Sequence, residues 1–259
     1  MQGLSPTQAG AAMLDVRSVV KRFGGITVLN ELSLSLRAGS INCIIGPNGC
    51  GKTTLFNVLT GVLSPEGGQV VFNGQDITRM ASWRIAGLGM TRKFQIPGVY
   101  PELTVAENLI VPLAAANRRA GMMSTLFSRS GGRLAALLEL CRLENKAEHK
   151  VGTLAHGEKQ WLEIAMLLAV DADLILLDEP TAGMSVPETQ KTAELVKRLR
   201  TDFGKTVLAI EHDMSFLRAL DCHVIVMLRG RVVREGRLED IQNDPEVIAA
   251  YLGGGHADS

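Results

Sequence analysis

Two patterns of apolar spacing divide the chain. Leu14 to Phe23, Leu32 to Leu36, Ile41 to Ile45 and Gln69 to Phe72 are β-patterned runs between glycine-rich stretches, which predicts strands. After Gly51, the positions of Leu55, Phe56 and Leu59 predict a helix with one apolar face. From about Thr104 to Leu143 the spacing becomes helical, with a basic, loop-like piece between Arg118 and Arg133. Strand-like runs return at Leu174 to Leu177 and Thr206 to Ile210, each followed by helical spacing. His223 to Arg234 reads as a hairpin around Arg229-Gly230. Apolar runs alternating with helices predict an α/β fold whose mostly parallel core sheet is covered on both faces, with a helical subdomain inserted. Ser185-Val186-Pro187-Glu188 has the S-x-x-E form of a capping box, and Gly204 supplies a stop for the helix it opens.

Composition narrows the class. The 27 Lys+Arg balance the 27 Asp+Glu, and only 4% of residues are aromatic. A nucleic-acid binder relying on phosphate contacts and base stacking needs a basic surplus and aromatic platforms, so no nucleic-acid partner is expected. Hydrophobic residues make up 46%, enough for a core. No run reaches the roughly 18 apolar residues that predict a transmembrane helix, the longest clean one being Ile164 to Val170. The polar start, Met1 to Ala12, lacks the features of a secretory signal. Cys43, Cys50, Cys141 and Cys222 form no C-x-x-C pair, which fits a reducing compartment and a cytoplasmic location.

Gly46-Pro47-Asn48-Gly49-Cys50-Gly51-Lys52-Thr53 fits G-x-x-x-x-G-K-[ST], after an apolar strand and before a helix. Such a loop wraps its backbone N–H groups round phosphates; Lys52 would reach the β- and γ-phosphates and Thr53 would offer a hydroxyl to Mg²⁺. Leu174 to Leu177 ends in Asp178-Glu179. An acid at a strand's carboxyl end beside a phosphate loop can hold Mg²⁺, and its neighbour can polarise a water for in-line attack.

The phosphate loop, followed in order by Gln95, Leu154-Ala155-His156-Gly157-Glu158, Leu177-Asp178-Glu179-Pro180 and Glu211-His212-Asp213, resembles that of an ABC-transporter nucleotide-binding subunit, and the resemblance runs over Leu14 to about Leu252. The resemblance implies a P-loop ABC ATPase domain at 13–252 with an antiparallel β edge subdomain, an inserted helical subdomain at about 96–170, and flexible termini at 1–12 and 253–259. It implies that ATP binds through Phe23, which stacks on adenine, and through Gly46, Asn48, Gly49, Cys50, Gly51, Lys52, Thr53 and Thr54. Ala155, His156 and Gly157 would face the ATP of a second subunit. Glu179, His212 and Gln95 would be catalytic, and Thr53, Gln95 and Asp178 would serve Mg²⁺. Two membrane permease subunits and an extracytoplasmic solute-binding protein are implied, with this chain peripheral on the cytoplasmic face of the bacterial inner membrane. Pro97 to Leu113 is the candidate groove for permease helices. Arg118, Arg119, Arg129 and Arg133 would lie near lipid headgroups or form a solvated face.

Gly157 to Ile164, Glu179 to Met184 and the ending Ala250-Tyr251-Leu252-Gly253 resemble the branched-chain amino acid and urea importer branch. The string from His156 to Glu163 looks closest to the urea-transporter subunit. A branched-chain amino acid importer, a lipopolysaccharide-export type ATPase and a non-hydrolysing nucleotide sensor remain alternatives.

The chain departs from the family signature Leu-Ser-Gly-Gly-Gln. Ala155 lacks the hydroxyl that would donate to the partner's γ-phosphate, and a lost bond to a charged group costs about 1.5–3 kcal/mol. Glu158 adds a negative charge near that triphosphate, while His156 either donates to it or caps its helix. An altered signature beside an intact catalytic set suggests a different chain as the second ATP-binding subunit, with two unequal ATP sites. Cys50, at a helix start and two residues from Lys52, is expected either to have a depressed thiol pKa or to be a small filler whose N–H does the work.

Overall fold

Period-two alternation on a sheet buried from both sides organises the molecule. The structure, a computed structural model, describes residues 12–93, 98–119, 126–245 and 247. β1 (Leu14–Phe23) and β2 (Ile26–Leu36) form a long antiparallel hairpin, and β3 (Ile41–Ile45) leads into helix α1 (Lys52–Leu59). β4 (Gly67–Phe72) and β5 (Gln75–Asp76) complete an antiparallel sheet of order β2-β1-β4-β5. The short helix α2 (Ser82–Gly87) precedes β6 (Met90–Arg92).

Between β6 and β7 (Leu174–Asp178) lie α3 (Val105–Arg119), α4 (Leu126–Leu140) and α5 (His156–Ala169). After β7 the chain alternates α6 (Val186–Thr201), β8 (Thr206–Ile210), α7 (Met214–Leu220), β9 (His223–Leu228), β10 (Arg231–Arg237) and α8 (Leu238–Gln242). The second sheet has the order β10-β9-β3-β8-β7-β6; only the β9–β10 pair is antiparallel. The α/β class with a mostly parallel core sheet and a separate antiparallel sheet is therefore present.

Alternate residues of the central strands feed two different cores. Cys43, Ile175, Leu177, Val207, Ala209, Val224 and Val226 join α3 to α7 on one side. Ile44, Leu174, Leu176, Leu208, Ile210, Ile225 and Met227 join α1 and the antiparallel sheet on the other. With both faces apolar, these strands read as continuous hydrophobic runs rather than half-polar ones.

α6 begins where its sequence says. Ser185 is the N-cap, and Glu188 reaches back so that its Oε2 accepts from the Ser185 N–H at 2.8 Å and hydroxyl at 2.6 Å. The hydroxyl bond holds the Glu188 carboxyl below its usual range. The helix ends at Thr201, three residues before Gly204 turns with φ 65°.

Candidate functional site

β3, β8 and β7 are neighbours and parallel, so their carboxyl ends open on one edge of the sheet. The loop after β3 carries Gly46 to Lys52, β7 ends at Asp178, and β8 runs into Glu211 and His212. Ligands of open α/β sheets sit at this edge.

The glycine loop is built by close backbone approach. A Cβ on Gly46 would overlap the Met227 carbonyl oxygen, and one on Gly51 (φ 107°) would meet the Val28 oxygen at 2.9 Å. Gly49 also has positive φ but faces open space. Asn48 and the N-terminal turn of α1, with an exposed Thr53 and a half-buried Thr54, border the same opening. The Lys52 ammonium is buried and donates to the Gly46 oxygen at 2.7 Å and the Pro47 oxygen at 3.0 Å. Among the described residues no carboxylate pairs with it. A cation held only by neutral carbonyls, at a helix N-terminus, is complementary to phosphate oxygens. Gly46→Ala is expected to weaken ATP binding by more than about tenfold, the equivalent of 1.4 kcal/mol, read as the Kd of a fluorescent ATP analogue.

Cys50 corrects the reactive-thiol expectation. It is buried beneath the loop, and a Cβ on Gly46 would lie 2.9 Å from its Sγ. Burial pushes the Cys50 thiol up; Lys52 and nearby backbone N–H groups oppose this without reversing it. Dithionitrobenzoate should therefore find no fast-reacting Cys50 in native protein, and only denaturant should release it. A rapid native reaction that disappears in Cys50→Ala would contradict this.

Glu179 has φ 47°, in the left-handed region, although it is not glycine and precedes Pro180. Such a conformation costs about 1–3 kcal/mol and persists where surrounding contacts impose it. Here the Glu179 N–H donates to the Ile210 oxygen at 3.0 Å, and its own oxygen accepts from Ala182 N–H at 3.1 Å. The carboxylate is thereby presented at the edge, with Oε1 3.5 Å from His212 Nε2, and both side chains are partly exposed.

Asp178 is buried and engaged by a residue the sequence reading missed. The Arg92 guanidinium donates to Asp178 Oδ2 at 2.6 Å and to Asn57 Oδ1 of α1 at 2.6 Å, and lies 5.3 Å from the Phe56 ring centre. This buried pair links β6, β7 and the phosphate-loop helix. A second buried pair, Lys93 with Glu163 at 3.2 Å, joins the end of β6 to α5. Burial pulls the Lys93 ammonium below the usual lysine range, with Glu163 opposing. Gln95 and Pro97 lie outside the described residues, as do the side chains of Arg118, Arg119 and Arg129. Arg133 lies 3.4 Å from Asp171 in an exposed ion pair.

The altered signature opens α5. Ala155 is its N-cap, so His156 is not the cap; His156 Nε2 lies 3.2 Å from the Ala182 oxygen, to which it donates. Glu158 is not a bare charge: Lys146 donates to Oε1 at 2.6 Å and the Ala155 N–H to Oε2 at 3.1 Å. Gly157 packs against α6, where a Cβ would come 2.7 Å from Glu188 Oε1. Trp161, about one turn further on, donates to Thr192 Oγ1 at 2.8 Å and ties α5 to α6. At the far end of the β1–β2 hairpin, Phe23 is exposed with Lys21 5.4 Å from its ring centre, so it is not a core residue.

A glycine loop with its lysine, an acid pair and a histidine at the carboxyl ends of adjacent parallel strands define a P-loop nucleotide triphosphatase. The family model described as ABC transporter matches residues 29–182, and one described as branched-chain amino acid ATP-binding cassette transporter matches residues 235–257. The chain belongs to the ABC transporter family. It is similar to the high-affinity branched-chain amino acid transport ATP-binding protein LivG of Salmonella typhimurium, with 36% identity over 250 residues, 93% of this chain and 98% of that protein. A solved ATP-binding cassette of an ABC transporter in its ADP conformation superposes with TM-score 0.80 at 32% identity, covering 94% of this chain and all (100%) of that one. A dimeric cassette in a post-hydrolysis state with ADP and Pi gives 0.73 at 28% identity, covering 87% and 99%. The chain is an ATP hydrolase of the ABC type. Among the described residues, no helix is long and apolar enough to cross a membrane.

Proposed function

We propose that this chain is the ATP-driven motor of a branched-chain amino acid importer. The observation that carries the solute is the near full-length similarity to a protein named for branched-chain amino acid transport. The urea reading rested on the string from His156 to Glu163, and those side chains have local work. Lys159 donates to the Gly152 oxygen, Gln160 lies beside His156, Trp161 binds Thr192 and Glu163 pairs with Lys93. They support neither solute over the other.

In this reading Phe23 stacks on adenine, and the N–H groups of the loop from Gly46 to Thr54 and the Lys52 ammonium take the phosphates. Thr53 and Asp178, with Gln95, would hold Mg²⁺; a hydroxyl and a carboxylate are oxygen ligands of the kind a hard cation takes. The cation neutralises charge on the phosphates when bound. Glu179 accepts a proton from the attacking water, and His212 fixes that water against the γ-phosphate. Ala155, His156 and Gly157 face the ATP of a second subunit. Because Ala155 offers no hydroxyl there, the second ATP-binding subunit is a different chain and the two sites are unequal. Permease helices dock beside α3, where Tyr100, Ile110 and Val111 are exposed next to a cavity of about 210 Å³ lined by Gly98, Pro112 and Met166. The chain then sits peripherally on the cytoplasmic face of the membrane, and an extracytoplasmic binding protein delivers solute.

The test is uptake of labelled leucine and urea, side by side, in cells lacking this chain. Loss of leucine uptake alone, restored by the wild-type gene, is expected. Loss of urea uptake alone would return the solute to urea, and no change in either would favour an export ATPase.

A further inference from the structure

Glu211 stands between the two catalytic segments and has no place in the scheme above. Its carboxylate is 2% exposed, and among the described residues no lysine, arginine or histidine pairs with it. All its partners are neutral donors. Oε1 accepts from the Thr181 N–H at 2.9 Å and the Thr181 hydroxyl at 2.5 Å. Oε2 accepts from the N–H groups of His212 at 3.0 Å and Asp213 at 3.3 Å. An acceptor-only group with two oxygens is what four converging donors require. Charge-assisted bonds of this kind are about twice as strong as neutral ones.

The two oxygens bind different segments. Thr181 follows Glu179 by two residues, inside the turn that holds Glu179 at positive φ. His212 is the next residue along the chain from Glu211, on the carboxyl end of β8. Glu211 itself is anchored by its N–H to the Ile44 oxygen of β3, the strand that feeds the glycine loop. One buried carboxylate therefore fixes the loop of Glu179 to the turn of His212, from a strand end tied to the phosphate loop.

We propose that Glu211 is a positioning residue for hydrolysis: it clamps these two segments so that Glu179 Oε1 and His212 Nε2 stay within reach of one water. This rests on the reading of Glu179 and His212 as the hydrolytic pair. Glutamine at this position keeps the size but turns an N–H₂ towards one pair of donors, so one side of the clamp opens whichever way the amide lies. Aspartate is one methylene shorter and cannot reach both segments.

The experiment measures ATP turnover and nucleotide affinity of the full chain in its assembled transporter. Glu211→Gln is expected to lower kcat about 10- to 100-fold, the scale of misplacing a reacting group by about 1 Å. KM and the Kd of a fluorescent ATP analogue should stay within about twofold, because the glycine loop is untouched. Thr181→Val, which removes only the hydroxyl, should lower kcat several-fold, and Thr181→Ser should retain it. Added to the pair of substitutions Glu179→Gln/His212→Ala, Glu211→Gln should slow the residual turnover no further, because neither positioned group is left. Wild-type kcat in Glu211→Gln, or a full further loss in that triple variant, would overturn the clamp. Should Glu211→Gln fail to fold, wild-type kcat in Thr181→Val overturns it instead. If Glu179→Gln and His212→Ala both turn over normally, the hydrolytic pair is wrong, an outcome separate from failure of the clamp.

Discussion

Glu179→Gln is expected to cut ATP turnover by about 10²–10⁴-fold, the range assigned to loss of a general base, while ATP binding persists. The geometry argues for both halves. Glu179 is partly exposed at the sheet's carboxyl edge, 3.5 Å from His212, and its backbone is held in the left-handed region by Ile210 and Ala182. Glutamine fits the same space with the same backbone, so the loss falls on proton acceptance. Lys52 and Thr53, proposed to meet the phosphates and Mg²⁺, open α1 and keep their places. The check is phosphate release together with equilibrium binding of a fluorescent ATP analogue. Turnover within a few-fold of wild type would remove Glu179 from the chemistry.

Arg92→Met is expected to be the largest single loss of stability outside the core. It leaves the Asp178 carboxylate buried without its cation and strips Asn57 of its donor. Removing one partner of a buried ion pair costs about 3–5 kcal/mol, which for a chain of this size lowers Tm by roughly 6–20 °C. The second part of the prediction separates stability from chemistry. Arg92→Met/Asp178→Leu replaces both charges with apolar groups and should recover much of the Tm, since such swaps of buried pairs are often neutral or favourable. Turnover should not return, because the acid that would serve Mg²⁺ is gone. Thermal unfolding of both variants decides it: a single variant melting within 2 °C of wild type, by about 1 kcal/mol or less, would show the pair to be idle.

How much of this was legible in the sequence depends on the range of each interaction. β3 and β8 begin and end where their apolar runs do, because strands buried on both faces need no partner to be recognised. β6, the three residues Met90–Arg92, carries no such run and was not legible. The glycine loop and the acids at the end of β7 announced themselves because their chemistry is local. Arg92 did not, since its partner lies 86 residues away. Glu211 stands out in the sequence only as the neighbour of His212; its hydrogen bonds to Thr181 span 30 residues and exist only once β7 and β8 are paired. Cys50 shows the opposite failure. A helix N-terminus and a nearby lysine are visible in sequence, but the burial that outweighs them is not. Glu158 is similar, because Lys146, twelve residues before it, neutralises a charge that looked bare.

The measurement that bears most directly on the central claim is leucine accumulation in proteoliposomes holding the complete transporter, with ATP supplied on the side of this chain and phosphate release followed in the same sample. The account predicts that both signals rise together with wild type and that both are lost with Glu179→Gln while ATP still binds. Leucine accumulating at the wild-type rate with Glu179→Gln would contradict it.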